Sequence, residues 1–216
     1  MSEADQEKRI AAEAAAELVE DGMTVGLGTG STVAHLLPAI AARGARDIRC
    51  VATSVATEEQ ARQLGIPVEE FSQLQRLDIA IDGTDQVTPD GWLIKGGGGA
   101  HLREKIVAAA AERFVVIADS SKPVEVLSAP VPLELFAFGI ASTLERLGSE
   151  VALREAPRSP DAGLIADYRG EIGDPAGLAA RLEADPGVAA HGLFAPAMVS
   201  AVLVGAAGTV ERLTLS

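Results

Sequence analysis

Four short segments of this chain combine residue types that can hold an anion or move a proton. In the first, Lys95 leads into four consecutive glycines, Gly96, Gly97, Gly98 and Gly99, followed closely by His101, Arg103, Glu104 and Lys105. Four glycines in a row are entropically costly to order. Such a run inside a compact domain marks backbone held close to a ligand, with N–H groups available to an oxyanion. Glu104 falls early in the helix expected to leave the loop. The helix N-terminus there favours an ionised carboxylate, which suits a base. Leu102, Ile106 and Ala110 share one helix face, the expected core face, and Glu104 projects away from it. His101 reads as a neutral helix histidine.

The second segment is Asp82-Gly83-Thr84-Asp85, after the strand-like stretch Leu77 to Ile81. Two close carboxylates raise each other's pKa unless a cation or ligand hydroxyls intervene. Sugar hydroxyls would suit them. The third is Gly26-Leu27-Gly28-Thr29-Gly30-Ser31-Thr32. Its glycines let an anion approach the backbone, and Ser31 and Thr32 add hydroxyls where a helix begins. A phosphate fits. Ser31 stands where a dinucleotide fingerprint needs its third glycine, and no Gly-Lys-Ser/Thr ends the loop as in a nucleotide P-loop. The fourth is Ala118-Asp119-Ser120-Ser121-Lys122, where Lys122 and two serine hydroxyls offer another phosphate contact. Thr53, Ser54 and Thr57 form a weaker hydroxyl cluster.

The composition narrows the ligand. The net charge of −13 repels nucleic acid and anionic membranes. It also repels a phosphorylated substrate, so a phosphate site needs locally gathered cations. Of 18 basic residues only Lys8, Lys95, Lys105 and Lys122 are lysines. A compact ammonium contacts a single oxygen in a tight pocket better than a guanidinium does. The single cysteine, Cys50, reads as a buried structural thiol, and the three histidines lack the spacing of a helical metal motif. No metal site is expected. The polar, acidic N-terminal residues lack the pattern of a secretory signal, and no apolar run reaches membrane-span length. The expectation is a cytoplasmic protein.

Elements that could position these residues alternate along the first half. Helices are predicted over Glu3–Glu20, Thr32–Arg43, Thr57–Leu64 and Ala100–Arg113. Strands are predicted over Met23–Leu27, Ile48–Ala52, Leu77–Ile81, Trp92–Ile94 and Phe114–Ala118. This order implies an α/β fold: a Rossmann-like, mostly parallel sheet with helices on both faces and ligands at the carboxyl ends of its strands. A smaller α+β lobe is expected over residues 128–196. It has strands over Val131–Phe138, Val151–Glu155, Gly163–Tyr168 and Val188–Phe194, and helices over Ile140–Leu147 and Pro175–Ala184. The main domain then comprises 1–127 and 197–216, with a hairpin of Val199–Gly205 and Thr209–Leu215 returning to the main sheet.

Taken in order, these segments resemble the ribose-5-phosphate isomerases of the A type. The resemblance rests on Gly28–Thr32, Thr53-Ser54 with Thr57, Asp82–Asp85, Lys95–Ala100, Arg103–Lys105 and Ala118–Lys122. It extends through Asp174-Pro175 and Pro186–Phe194. It implies interconversion of ribose 5-phosphate and ribulose 5-phosphate through an enediolate, within pentose phosphate metabolism and without a cofactor. Glu104 would carry the proton between C1 and C2. Asp82, Asp85 and Lys95 would assist ring opening and stabilise charge. Gly28, Thr29, Gly30, Ser31, Thr32, Lys122 and Lys8 would hold the phosphate end, with Gly96, Gly97 and Gly98 at the substrate. A homodimer or homotetramer is implied.

Three departures stand out. Gln86 replaces a glutamate usual in the family, removing a charge that would orient a neighbour. Ser159–Gly163 replaces a TDNGN-like stretch, and Ala137 stands where proline is common. Two rival readings fit the fold class. One is a sugar-phosphate sensor, which would have no use for Glu104 and Lys95. It is also disfavoured by the acidic charge and by the lack of a helix-turn-helix before the first strand. The other is a coenzyme A transferase-like enzyme, which would call for a longer chain.

Overall fold

The computed structural model describes residues 2–72, 74–213 and 215. Six strands form the main sheet: β1 (Thr24–Leu27), β2 (Arg49–Ala52), β3 (Leu77–Gly83), β6 (Ala111–Asp119), β12 (Ala201–Ala206) and β13 (Thr209–Leu213). Their order is β13-β12-β6-β3-β1-β2, parallel throughout except for β13 at the edge. A three-stranded sheet comprises β4 (Gln86–Val87), β5 (Leu93–Ile94) and β11 (Leu193–Phe194). A four-stranded antiparallel sheet comprises β7 (Val131–Leu135), β8 (Val151–Leu153), β9 (Leu164–Tyr168) and β10 (Val188–His191). The helices are α1 (Glu3–Ala16), α2 (Ser31–Arg43), α3 (Val55–Gln63), α4 (His101–Ala110), α5 (Ile140–Leu147) and α6 (Pro175–Glu183).

Strand alternation explains the layering. Ile79 and Ile81 of β3, with Val115 and Ile117 of β6, join the core under α1 and α2. Ala80, Phe114 and Val116 face the other way, against Val107 of α4. Asp82 lies two residues beyond Ala80, so its side chain leaves the sheet toward α4. Burying these inner strands on both faces yields the near-continuous apolar runs that parallel sheets require.

The departures from expectation have local causes. The first helix stops at Ala16 because the Leu18 and Val19 N–H groups turn back to Ala15 and Ala16, one residue short of α-helical reach. The α4 helix ends at Ala110, since Ala111 to Arg113 pair with β3 and extend β6. The predicted Val131–Phe138 strand ends at Leu135, and Phe136 and Phe138 are exposed. The returning hairpin runs over Ala201–Ala206 and Thr209–Leu213; Thr214 lies outside the described residues.

The predicted Val188–Phe194 strand is two strands in two sheets. β10 pairs with β7 and β11 with β5, and Gly192 is the switch point. Its N–H donates to the Pro132 carbonyl at 2.7 Å and its carbonyl accepts the Lys95 N–H at 2.9 Å. A β-carbon there would lie 2.1 Å from the Lys95 carbonyl oxygen. Gly192→Ala should therefore push the Lys95 segment aside and destabilise the fold by about 1–3 kcal/mol. A urea midpoint lowered with an unchanged slope would register this.

Candidate active site

Five chain segments converge on one cavity of about 130 Å³ at the carboxyl ends of β1, β3 and β6. Its walls include Lys8, Thr29 to Thr32, Gly83 to Asp85, Lys95 to Gly98, Glu104 and Lys122. This gathers every residue that the family resemblance assigned to the site except Gly28 and Asp82. Gly28 is spent inside the fold, its N–H on the Ile81 carbonyl and its own carbonyl on the Thr57 hydroxyl. Asp82 lies directly beneath the wall.

The floor is a buried charge cluster. Lys95 Nζ lies 3.0 Å from Asp82 Oδ2 and 3.2 Å from Glu104 Oε2, and it also donates to the Gly83 carbonyl. All three side chains are almost wholly inaccessible to solvent. The Thr29 and Gly83 N–H groups donate to Asp82 Oδ1 at 3.0 and 2.7 Å, which locks that carboxylate. Glu104 Oε2 makes an ion contact with Lys95 without hydrogen-bond alignment, and is the looser partner.

Burial dominates the protonation of this cluster. It pushes Glu104 up to about 8, helped by the Asp82 charge and opposed by Lys95. Burial raises Asp82 as well, against the pull of Lys95. Burial alone would lower Lys95, but Asp82 and Glu104 outweigh it and hold the ammonium above its ordinary value. The helix N-terminus therefore does not decide the state of Glu104, contrary to the reading from sequence. Desolvation does.

The face of α4 also differs from expectation. His101, Glu104, Val107 and Ala108 point inward, whereas Ile106 is half exposed. The apolar spacing of Leu102, Ile106 and Ala110 marked the outer side. The glycine run fixes the rotation of this helix. Gly96 sits at φ 100°, and a β-carbon there would meet the His101 ring at 2.6 Å. The loop thus lies directly on the histidine. Burial drives His101 down to about 3, and nearby Lys105 adds to the shift, so the ring is neutral.

The opposite end of the cavity is built for an anion. The α2 helix begins at Ser31 with no side chain capping it, so its first N–H groups face the cavity mouth. Lys8 Nζ donates to Ser31 Oγ at 3.0 Å, and Lys122 stands on the same wall. Ser120 and Ser121 are otherwise engaged. Ser120 donates through N–H and hydroxyl to Glu7 Oε2, and Ser121 bonds Asp119. The Thr53, Ser54 and Thr57 cluster braces the first loop from behind, with Thr53 Oγ1 2.7 Å from Thr29 Oγ1. Thr84, not singled out in the sequence, lines the cavity and ties the Ile94 and Gln86 carbonyls together. Only its position between two aspartates could have signalled it.

Gln86 faces away from the cavity. Its amide accepts the Ser128 N–H and donates to the Ser128 carbonyl, both at 2.8 Å. Its role is to pin a connecting loop, and a glutamate could serve only the first bond. Cys50 is buried, which pushes its thiol up to about 12. Among the described residues no three His, Cys, Asp or Glu side chains group as a metal site, and no helix is long and apolar enough to cross a membrane.

Comparison with known proteins decides among the readings. The family model for ribose 5-phosphate isomerase A (phosphoriboisomerase A) matches residues 49–209. The chain belongs to this family. The ribose-5-phosphate isomerase A of Caulobacter vibrioides is 48% identical over 97% of this chain and 98% of its own. The crystal structure of ribose 5-phosphate isomerase A from Neisseria gonorrhoeae superposes with a TM-score of 0.94 at 34% identity, covering 100% and 99% of the two chains. A D-ribose-5-phosphate isomerase solved in complex with phospho-erythronic acid gives 0.91 at 33% identity, covering 98% and 99%.

The charge cluster makes stability depend on pH. A glutamate whose folded pKa lies above its ordinary 4.5 binds its proton more tightly in the native state. Stability is then lost as pH rises from about 4.5 toward 8. Glu104→Gln should fold, and its melting temperature should gain on the parent's between pH 5 and pH 8.5. Parallel melting curves for the two proteins across that range test this.

Proposed function

We propose that Glu104 carries the proton between C1 and C2 as this chain interconverts ribose 5-phosphate and ribulose 5-phosphate, the reaction of the family to which it belongs. The observation that carries this reading is the Glu104 carboxylate on the cavity wall, 3.2 Å from a buried ammonium and held near neutrality by burial. A base whose pKa lies close to the working pH combines adequate strength with an adequate ionised fraction.

The cavity's two ends divide the work. The phosphate is held by the open α2 N-terminus with Ser31, Thr32, Lys8 and Lys122, where a dianion meets N–H groups and ammonium charges. The carbonyl end then lies over Gly97 and Gly98 beside Lys95 and Glu104. Asp85 faces this end and, with Asp82 below it, assists transfer of hydroxyl protons during ring opening. From aldose to ketose, Glu104 takes the C2 proton. The C2–H electron pair becomes the C1–C2 double bond, and the carbonyl pair moves onto O1. Lys95 and the glycine N–H groups oppose that developing negative charge. Glu104 returns the proton to C1 as the O2 proton passes to O1. Atoms and charge balance without a further reactant.

The remaining parts of the proposal concern the whole molecule. Exposed Phe136, Phe138 and Val126 support a face covered by a second copy, as a homodimer or homotetramer would provide. Light scattering on the purified protein tests this; a monomer at micromolar concentration removes it. A cytoplasmic location accords with a phosphorylated sugar as substrate.

Purified protein treated with chelator should convert ribose 5-phosphate to the ketose. Tight binding without conversion would instead favour a sensor. Glu104→Gln should lower kcat by about 10²–10⁴ with KM little changed. For the parent enzyme, kcat/KM should rise about tenfold per pH unit below about 8 and level off above it. Lys122→Met should raise KM about tenfold, the loss of one charge-assisted hydrogen bond, and leave kcat nearly intact. A fall in kcat alone would place Lys122 elsewhere in the mechanism.

A further inference from the structure

One arginine outside the cavity grips the glycine loop from behind. Arg154 follows β8, and its guanidinium pairs with Asp167 of β9 through two hydrogen bonds, Nε to Oδ2 at 2.9 Å and Nη2 to Oδ1 at 2.6 Å. The third nitrogen, Nη1, donates to the Gly97 carbonyl at 2.9 Å and the Gly96 carbonyl at 3.3 Å. Asp167 is buried and Arg154 largely so. Neither residue lines the cavity.

The loop is held from its other side as well. The Gly97 N–H donates to Asp85 Oδ2 at 2.8 Å, and the Gly99 N–H returns to the Gly96 carbonyl at 3.0 Å. The Gly96–Gly97 peptide plane is thus fixed at both edges, and the Gly97–Gly98 plane at its carbonyl edge. In a trans peptide the carbonyl and the following N–H point in opposite directions. With the Gly97 carbonyl turned to Arg154, the Gly98 N–H turns toward the cavity that Gly98 lines. It has no acceptor among the described residues.

We propose that Arg154, fixed by Asp167, is a positioning residue that directs the Gly98 N–H at the enediolate oxygen. A four-glycine run has no side chains with which to hold its own peptide planes. Without Arg154 the Gly97–Gly98 plane is free to rotate, and an oxyanion donor that must reorganise during the reaction loses most of its effect. The guanidinium suits the task because its rigid fork engages a carboxylate on one edge while a third nitrogen reaches two carbonyls. The assignment rests on the isomerase reading above and adds a residue to it that touches no substrate atom.

Two variants of the full chain test it. Arg154→Lys keeps the charge beside Asp167 but loses the fork. Arg154→Met with Asp167→Asn removes both charges, so no buried carboxylate is left unpaired. Four quantities are measured for each: kcat, KM, inhibition by phosphoerythronate and inhibition by inorganic phosphate. In both variants kcat should fall about 10- to 100-fold, less than or comparable to outright removal of an oxyanion donor. Phosphoerythronate, whose carboxylate stands in for the enediolate oxygens, should bind about tenfold more weakly. KM and inhibition by inorganic phosphate should stay within about twofold, because the phosphate end is untouched. Unchanged kcat in either variant overturns the assignment. So does a parallel loss of affinity for inorganic phosphate, which would signal general disruption. A parent protein that binds ribose 5-phosphate without converting it overturns the isomerase reading itself and is told apart by the parent alone.

Discussion

Lys95 holds one positive charge between two carboxylates that burial has stripped of water. In water such a group would be unremarkable. Inside the fold each charge costs several kcal/mol to desolvate, and removing one partner from a buried pair typically costs about 3–5 kcal/mol. The cluster is also unequal, with two acids sharing one base. The excess proton affinity falls on Glu104, because Asp82 receives two backbone N–H groups and Glu104 receives none. One carboxylate is anchored; the other is left looser and near neutrality.

The surrounding architecture follows from holding that cluster in place. Asp82 comes from the last turn of alternation in β3, Lys95 from the end of β5, and Glu104 from the first turn of α4. The three-stranded sheet exists largely to bring the second of these to the others. Gly192 hands the chain from β10 to β11 across the Lys95 backbone, so the four-stranded and three-stranded sheets meet at that residue. Lys8, a cation of the cavity wall, arrives on α1, whose Glu7 also ties down the Ser120 loop. Parts distant in sequence are thereby coupled to one cavity through backbone contacts rather than through side-chain packing alone.

How much of this was legible in the sequence depended on the kind of signal. The segments that line the cavity carried unusual residue types, four glycines or paired aspartates, and those read directly. The strands of the parallel sheet were legible as apolar runs, and their boundaries held to within a few residues. What periodicity could not supply was rotation and rank. Leu102, Ile106 and Ala110 gave a plausible apolar stripe on α4, yet the helix turns Glu104 inward because the glycine loop and His101 fix its orientation. Likewise, Ser120 and Ser121 had the right chemistry for phosphate, but Glu7 and Asp119 claim them. Arg154 gave no signal, since the loop carbonyls it holds lie 57 and 58 residues away.

The raised proton affinity of Lys95 has a consequence for side reactions. The open-chain form of an aldose is an aldehyde, and an aldehyde condenses with an amine to an imine when the nitrogen has a free lone pair. Lysines recruited for imine chemistry are accordingly ones whose ammonium has been weakened. Here the two carboxylates do the opposite and keep the nitrogen fully protonated. In the proposed reaction the lysine would therefore stand beside the reactive carbonyl as an electrophile without being consumed by it.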